Sequence, residues 1–144
     1  MPINRDTLLR IIICIHFIFV SMALMADWLP KSYLLNQLTI LALGFWAIVH
    51  RESAIHIELL MLIEMFSIIL DSICIGMYFQ IGKNSYSSSK NIAYFDISAF
   101  FAIFHLILKP IILVLLNKVR QDRLSDSAFG IWTPTPGYTP IDGQ

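Results

Sequence analysis

Leu59-Leu60-Met61-Leu62-Ile63-Glu64-Met65-Phe66-Ser67-Ile68-Ile69-Leu70-Asp71-Ser72-Ile73-Cys74-Ile75-Gly76-Met77-Tyr78-Phe79 decides the fold. A helix rising about 1.5 Å per residue crosses a hydrocarbon core of about 30 Å with roughly 20 apolar residues, and this run meets that length. It lacks the alternation of a barrel strand, and backbone groups cannot go unpaired in lipid, so a helix is the assignment. The run belongs to a span over 55–79, with His56 and Glu58 at the interface. Working outward, three more runs qualify: 8–26, 33–49 and 92–116. The chain is 57% hydrophobic and 14% charged, which no water-soluble domain of 144 residues could bury.

Short connections make consecutive helices antiparallel neighbours. The expected fold is an all-α, up-and-down bundle of four transmembrane helices over 1–117, followed by a disordered tail over 118–144. Pro30 stops the first connection, 50–53 is a tight polar turn, and 82–90 is a serine-rich loop. Beyond Leu116 the composition changes to Lys118, Arg120 and Arg123 and then to a Thr-Pro-rich end. Arg5, Arg10, Arg51, Lys118, Arg120 and Arg123 fall on one side of the membrane and Lys31, Lys83 and Lys90 on the other. The basic bias places both termini in the cytosol. An arginine-flanked first span with Ser21 and Ala23 near its end is also the pattern of a cleaved signal peptide. Trp28, Tyr33, Tyr78 and Tyr94 are expected at the outer interface and Trp46 at the inner one. Cys14 and Cys74 lie inside spans, where a disulfide is not expected.

Charges inside the spans carry the first functional reading. Glu64, Ser67, Asp71 and Cys74 share one stripe of the third span, and Ser98, Ala102, His105 and Lys109 a comparable stripe of the fourth. An ionisable side chain at mid-bilayer costs about 2.5 to 3.5 kcal/mol, so these stripes should meet as one polar cluster of Glu64, Asp71, His105 and Lys109. Depth counting pairs Glu64 with Lys109 and Asp71 with His105; a lysine stem reaching outward brings its ammonium to Asp71 instead. Pro110 should bend the fourth helix beside the lysine. Two roles fit the cluster: an ion pair that fixes helix register, or a proton or ion relay, for which dimerisation would supply room. His50, Glu52, His56 and Glu58 crowd one turn without a defined zinc spacing. No nucleophile-base-orienter set and no phosphate loop is present, so neither enzyme nor cofactor is expected, and nothing points to nucleic acid.

Three short elements carry a resemblance: Leu38-Thr39-Ile40-Leu41-Ala42-Leu43-Gly44-Phe45-Trp46-Ala47, then Arg51-Glu52-Ser53 and Leu70-Asp71, then Leu108-Lys109-Pro110. Together they resemble the type-1 angiotensin II receptor-associated protein family over roughly Leu8 to Arg123. Glu64 departs from it, standing where the family pattern has an apolar residue. The resemblance implies a multipass membrane protein of the endoplasmic reticulum, Golgi, cytoplasmic vesicles and plasma membrane. It further implies a tail that binds the cytosolic tail of the angiotensin type-1 receptor, promotes its internalisation and damps its signalling. Tyr138-Thr139-Pro140-Ile141-Asp142 keeps a Tyr-x-x-Ile-Asp pattern similar to the family's. With Tyr138 and Ile141 it has the form read by clathrin adaptors. Thr133, Thr135 and Thr139, each before proline, are candidate phosphate acceptors. The expected function is an adaptor coupling a receptor or other cargo to vesicle traffic; the rival is a small proton- or ion-conducting protein.

Overall fold

The computed structural model describes residues 4–51, 53–87 and 91–132, with side chains described as far as Ser125. They form four α-helices: α1 (Arg5–Ala23), α2 (Lys31–Val49), α3 (Ile55–Ser87) and α4 (Ile92–Trp132). No strand occurs among the described residues, and all four helices are long and apolar enough to cross a membrane. α1 packs on α2 and α4, and α3 packs on α2 and α4, while the backbones of the diagonal pairs stay apart. This is the four-helix membrane bundle that the sequence predicts.

Local chemistry sets the ends. The Asn4 side chain accepts the Asp6 backbone N–H at 3.3 Å, and Asp6 places negative charge in the first turn, so α1 begins three residues before the expected Leu8. Pro30 stands at the N-cap of α2, where its missing N–H costs nothing. At 19 residues each, α1 and α2 are about 28 Å long and match a bilayer core. α3 and α4 are longer than expected. α3 continues past Phe79 to Ser87, and α4 past Leu116 to Trp132. The polar residues after each apolar run mark the edge of the hydrocarbon and not the end of the helix, because no proline among them breaks the hydrogen-bond ladder. Leu116, Val119 and Arg123 are buried, so the inward face of α4 persists past the span.

The bundle is apolar outside and at both ends of its core, and polar between them. Phe17, Leu35, Leu62, Phe66, Ile107 and Val114 are among the large apolar side chains left exposed, as a lipid-facing surface requires. At the end where α1 begins and α4 leaves, Leu9, Ile12, Ile40, Leu60, Ile112 and Leu116 belong to one buried cluster. At the opposite end Ala23, Trp28, Ile75, Phe95 and Ala99 belong to another. Trp28 and Tyr33, which the sequence suggested as interfacial rings, are both buried within the bundle. The extension of α3 past Phe79 and the first two turns of α4 supply the wall that covers Trp28. Its ring lies 5.4 Å from that of Phe95, its Nε1 donates to Ser98 Oγ at 2.8 Å, and the Asp27 N–H donates to the Tyr86 hydroxyl at 3.1 Å.

Gly82 is where this end packs most tightly. A Cβ there would stand 2.7 Å from Phe95 Cε2 and 2.8 Å from Trp28 Cβ, whereas one at Gly76 would meet nothing within 4 Å. Gly82→Ala should therefore destabilise the bundle by about 1–3 kcal/mol through overpacking. Gly76→Ala should be neutral or slightly stabilising through helix propensity. Thermal unfolding of both variants in detergent micelles checks the contrast.

Candidate functional site

Between the two apolar clusters lies a layer of buried polar side chains contributed by every helix. Glu64, Asp71, His105 and Lys109 are all within it, each no more than 1% exposed. Their spacing explains the common direction. On α3, residues 64, 67 and 71 recur at the helical repeat, and on α4 residues 105 and 109 do so.

Lys109 pairs with Asp71, Nζ to Oδ2 at 2.6 Å, and donates as well to Ser67 Oγ. Of the two partners that the sequence leaves open, Glu64 by depth and Asp71 by an outward-reaching stem, the second is the one found. The four-carbon stem of Lys109 carries the ammonium about one turn away from its Cα level, which overrides the match of backbone heights. Two amides on α2 complete the carboxylate's surroundings. Gln37 Nε2 donates to Asp71 Oδ1 at 2.9 Å and Oδ2 at 2.7 Å; Asn36 Nδ2 donates to Asp71 Oδ1 at 3.1 Å and Ser67 Oγ at 2.6 Å. Asp71 is thereby the hub of three helices. A buried carboxylate is tolerated when its lone pairs are met by donors and its charge by a cation, and both conditions hold here.

His105 is separate from that hub. Its Nε2 lies 3.1 Å from His16 Nδ1 of α1, with ring centroids 4.4 Å apart and edge to face. Such a bond requires a hydrogen on one ring nitrogen and a lone pair on the other. Phe19 stacks over His105 with its centroid at 6.0 Å. Glu64 is bound to neither group. Among the described residues, neither of its carboxyl oxygens has a hydrogen-bond partner. The expected quartet thus resolves into an ion pair, an imidazole pair and a solitary carboxyl.

His16, Asn36 and Gln37 escaped the sequence reading, although the signal was present: two adjacent amides and an imidazole in the middle of apolar spans. Arg123 escaped it too. Expected as a membrane-border charge, it is buried at the α2–α3 turn. Its Nη1 donates to His50 O and Ser53 O at 3.1 Å each, and its Nη2 to Ala47 O at 3.0 Å. Asp6 Oδ1 lies 3.9 Å from Nη2. The guanidinium closes the carbonyl end of α2, where the helix dipole is negative. Around it, Arg120 pairs with Glu58 at 3.2 Å and Arg51 with Asp6 at 3.9 Å in more exposed positions.

His50 and His56 stack at 4.9 Å beside Trp46, but no group of three or more metal-ligating side chains occurs among the described residues. Cys14 and Cys74 are free thiols. Thr133, Thr135, Tyr138, Thr139 and Ile141 lie outside the described residues.

Comparison with known proteins follows the same boundaries. Residues 5–140 match the family model described as Angiotensin II, type I receptor-associated protein, from the first turn of α1 through the tail. The chain belongs to the angiotensin II type I receptor-associated protein family. A type-1 angiotensin II receptor-associated protein-like chain of Xenopus tropicalis is 32% identical over 115 residues, covering 80% of this chain and 71% of that one. The type-1 angiotensin II receptor-associated protein of Rattus norvegicus is 31% identical over 144 residues, covering 94% of this chain and 82% of the rat protein. No solved structure matches. The family assignment agrees with the resemblance carried by the second, third and fourth spans. The relatives are named as receptor-associated proteins and not as enzymes.

Proposed function

We propose that this member of the family is a multipass membrane adaptor. Its tail binds the cytosolic segment of a receptor of the angiotensin type-1 class, or of another membrane cargo, and modulates internalisation, trafficking and signalling. The family match over residues 5–140 carries this reading, since it takes in the tail as well as the bundle. Both termini face the cytosol, and the protein works in the endoplasmic reticulum, Golgi, vesicles and plasma membrane. Tyr138 and Ile141 form the clathrin-adaptor element, with phosphate at Thr133, Thr135 or Thr139 to regulate it.

Geometry supports a division of labour. Asp71, Lys109, Asn36 and Gln37 tie three helices together in mid-bundle, and apolar clusters lie on either side of that layer, an arrangement suited to a scaffold more than to a path for ions. α4 carries the chain about 13 Å past Arg123 before the tail begins, setting it away from the bundle.

Removing residues 126–144 should abolish capture of a receptor cytosolic-tail peptide by the purified protein, with helix lost only from the last two turns of α4 and thermal stability retained because Arg123 stays in place. Capture undiminished by that truncation would defeat the tail as the binding surface. For the conducting rival, neutralising Asp71 and Lys109 together should remove a pH-dependent flux from reconstituted vesicles. Protease digestion of an epitope placed after Ile131, on sealed vesicles of known sidedness, checks the orientation.

A further inference from the structure

Two carboxyl groups share the polar layer, and the structure treats them in opposite ways. Asp71 receives Lys109, Gln37, Asn36 and the Ser67 hydroxyl. Glu64, two turns earlier on the same face of α3, is equally buried and receives no donor from any described residue. Among the described residues the layer has one Lys or Arg, Lys109, and its two described contacts are to Asp71 and Ser67. The amide nitrogens of Asn36 and Gln37 are likewise turned toward Asp71.

A carboxylate buried without donor or counter-ion costs so much in desolvation that the group neutralises instead, whereas a neutral carboxyl left without a partner costs only a few kcal/mol. We propose that Glu64 is a proton-binding site inside the bundle: it holds a proton as a carboxylic acid while Asp71 remains the carboxylate of the ion pair. The inference does not depend on the tail or on receptor binding.

The groups around the site define what its ionisation would do. Buried in the same layer are His16 on α1, Tyr33 and Gln37 on α2, Asp71 on α3, and His105 and Lys109 on α4. Loss of the proton to solvent leaves a second negative charge in the layer with a single ammonium to share. Lys109 is then drawn away from Asp71, the contact that joins α4 to α3 and, through Gln37, to α2. Release of the proton loosens the bundle at its middle, and uptake tightens it. Proton occupancy at Glu64 is in this way linked to helix packing, with tighter packing toward lower pH.

Infrared spectroscopy of the full chain in lipid vesicles tests this directly. A buried carboxylic acid without a hydrogen-bond partner absorbs at the high-frequency end of the protonated-carboxyl region, apart from the amide bands and the carboxylate stretches, and shifts on exchange into heavy water. The expected result at neutral pH is one such band in the natural chain, lost as the pH is raised and absent from Glu64→Gln. A neutral-pH spectrum with no such band in the natural chain would overturn the proposal, as would its persistence in Glu64→Gln. Should the glutamine variant fail to assemble, the alkaline loss of the band in the natural chain decides the matter alone: a band that is present but unmoved up to the pH at which the bundle unfolds also overturns the exchange.

Discussion

Lys109→Met lowers the stability of the bundle by about 3–5 kcal/mol, the cost of leaving a buried carboxylate without its counter-ion. The size follows from the surroundings. Asp71 and Lys109 are 1% and 0% exposed, so solvent cannot replace the lost ammonium at 2.6 Å. Gln37, Asn36 and Ser67 would still donate to Asp71, yet neutral donors offset only part of a full charge. The double variant Asp71→Leu with Lys109→Met should recover much of the loss, because an apolar pair removes the desolvation penalty together with the attraction. Recovery remains incomplete, since three polar side chains then lose their acceptor, each worth roughly 1 kcal/mol or less between helices in lipid. Unfolding of the single and double variants in mixed micelles measures the coupling. A single variant within 1 kcal/mol of the natural chain would mean that the pair contributes little to packing.

That outcome bears on how much of the molecule the sequence discloses. Four spans, their antiparallel order and the convergence of Glu64, Asp71, His105 and Lys109 on the bundle interior all follow from run length and helical spacing, because lipid leaves the backbone so few options. Which charge meets which does not follow. Depth along a helix axis locates Cα atoms, and a lysine head group travels about one turn from its own, so Lys109 passes over Glu64 and reaches Asp71. Neither could counting on two helices disclose the contribution of the other two: Gln37 and His16 are identified as parts of the layer only once α1 and α2 are placed beside it. Hydropathy also misplaces the end of α4. It registers the change of solvent at Leu116, where the helix merely leaves the hydrocarbon. The same limit applies to Trp28, whose amphipathic ring would suit an interface but is covered by the first turns of α4 and by an extension of α3 around Gly82 that hydropathy does not reveal.

Arg123→Ala is expected to cost about 2–3 kcal/mol, a large effect for a residue that charge counting assigns to the membrane surface. Its guanidinium is buried and spans the α2–α3 connection, holding Ala47 O, His50 O and Ser53 O at 3.0–3.1 Å. Two of those carbonyls flank the last turn of α2, and the third belongs to Ser53, two residues before α3, so one planar group fixes the angle at which the chain reverses. Removing it leaves the partial negative charges of that helix terminus without the cation that caps them. Arg123→Lys should restore less than half of the loss, because an ammonium is a point donor that cannot bridge carbonyls on both sides of a turn as a planar fork can. Thermal unfolding in micelles orders the three chains, and limited proteolysis at Arg51 reports on the turn itself, with faster cleavage in the order natural, lysine, alanine. Equal behaviour of the lysine and alanine variants, both close to the natural chain, would show that the α2–α3 reversal is held by the apolar cluster of Ala47, Ile57 and Val119 without the guanidinium.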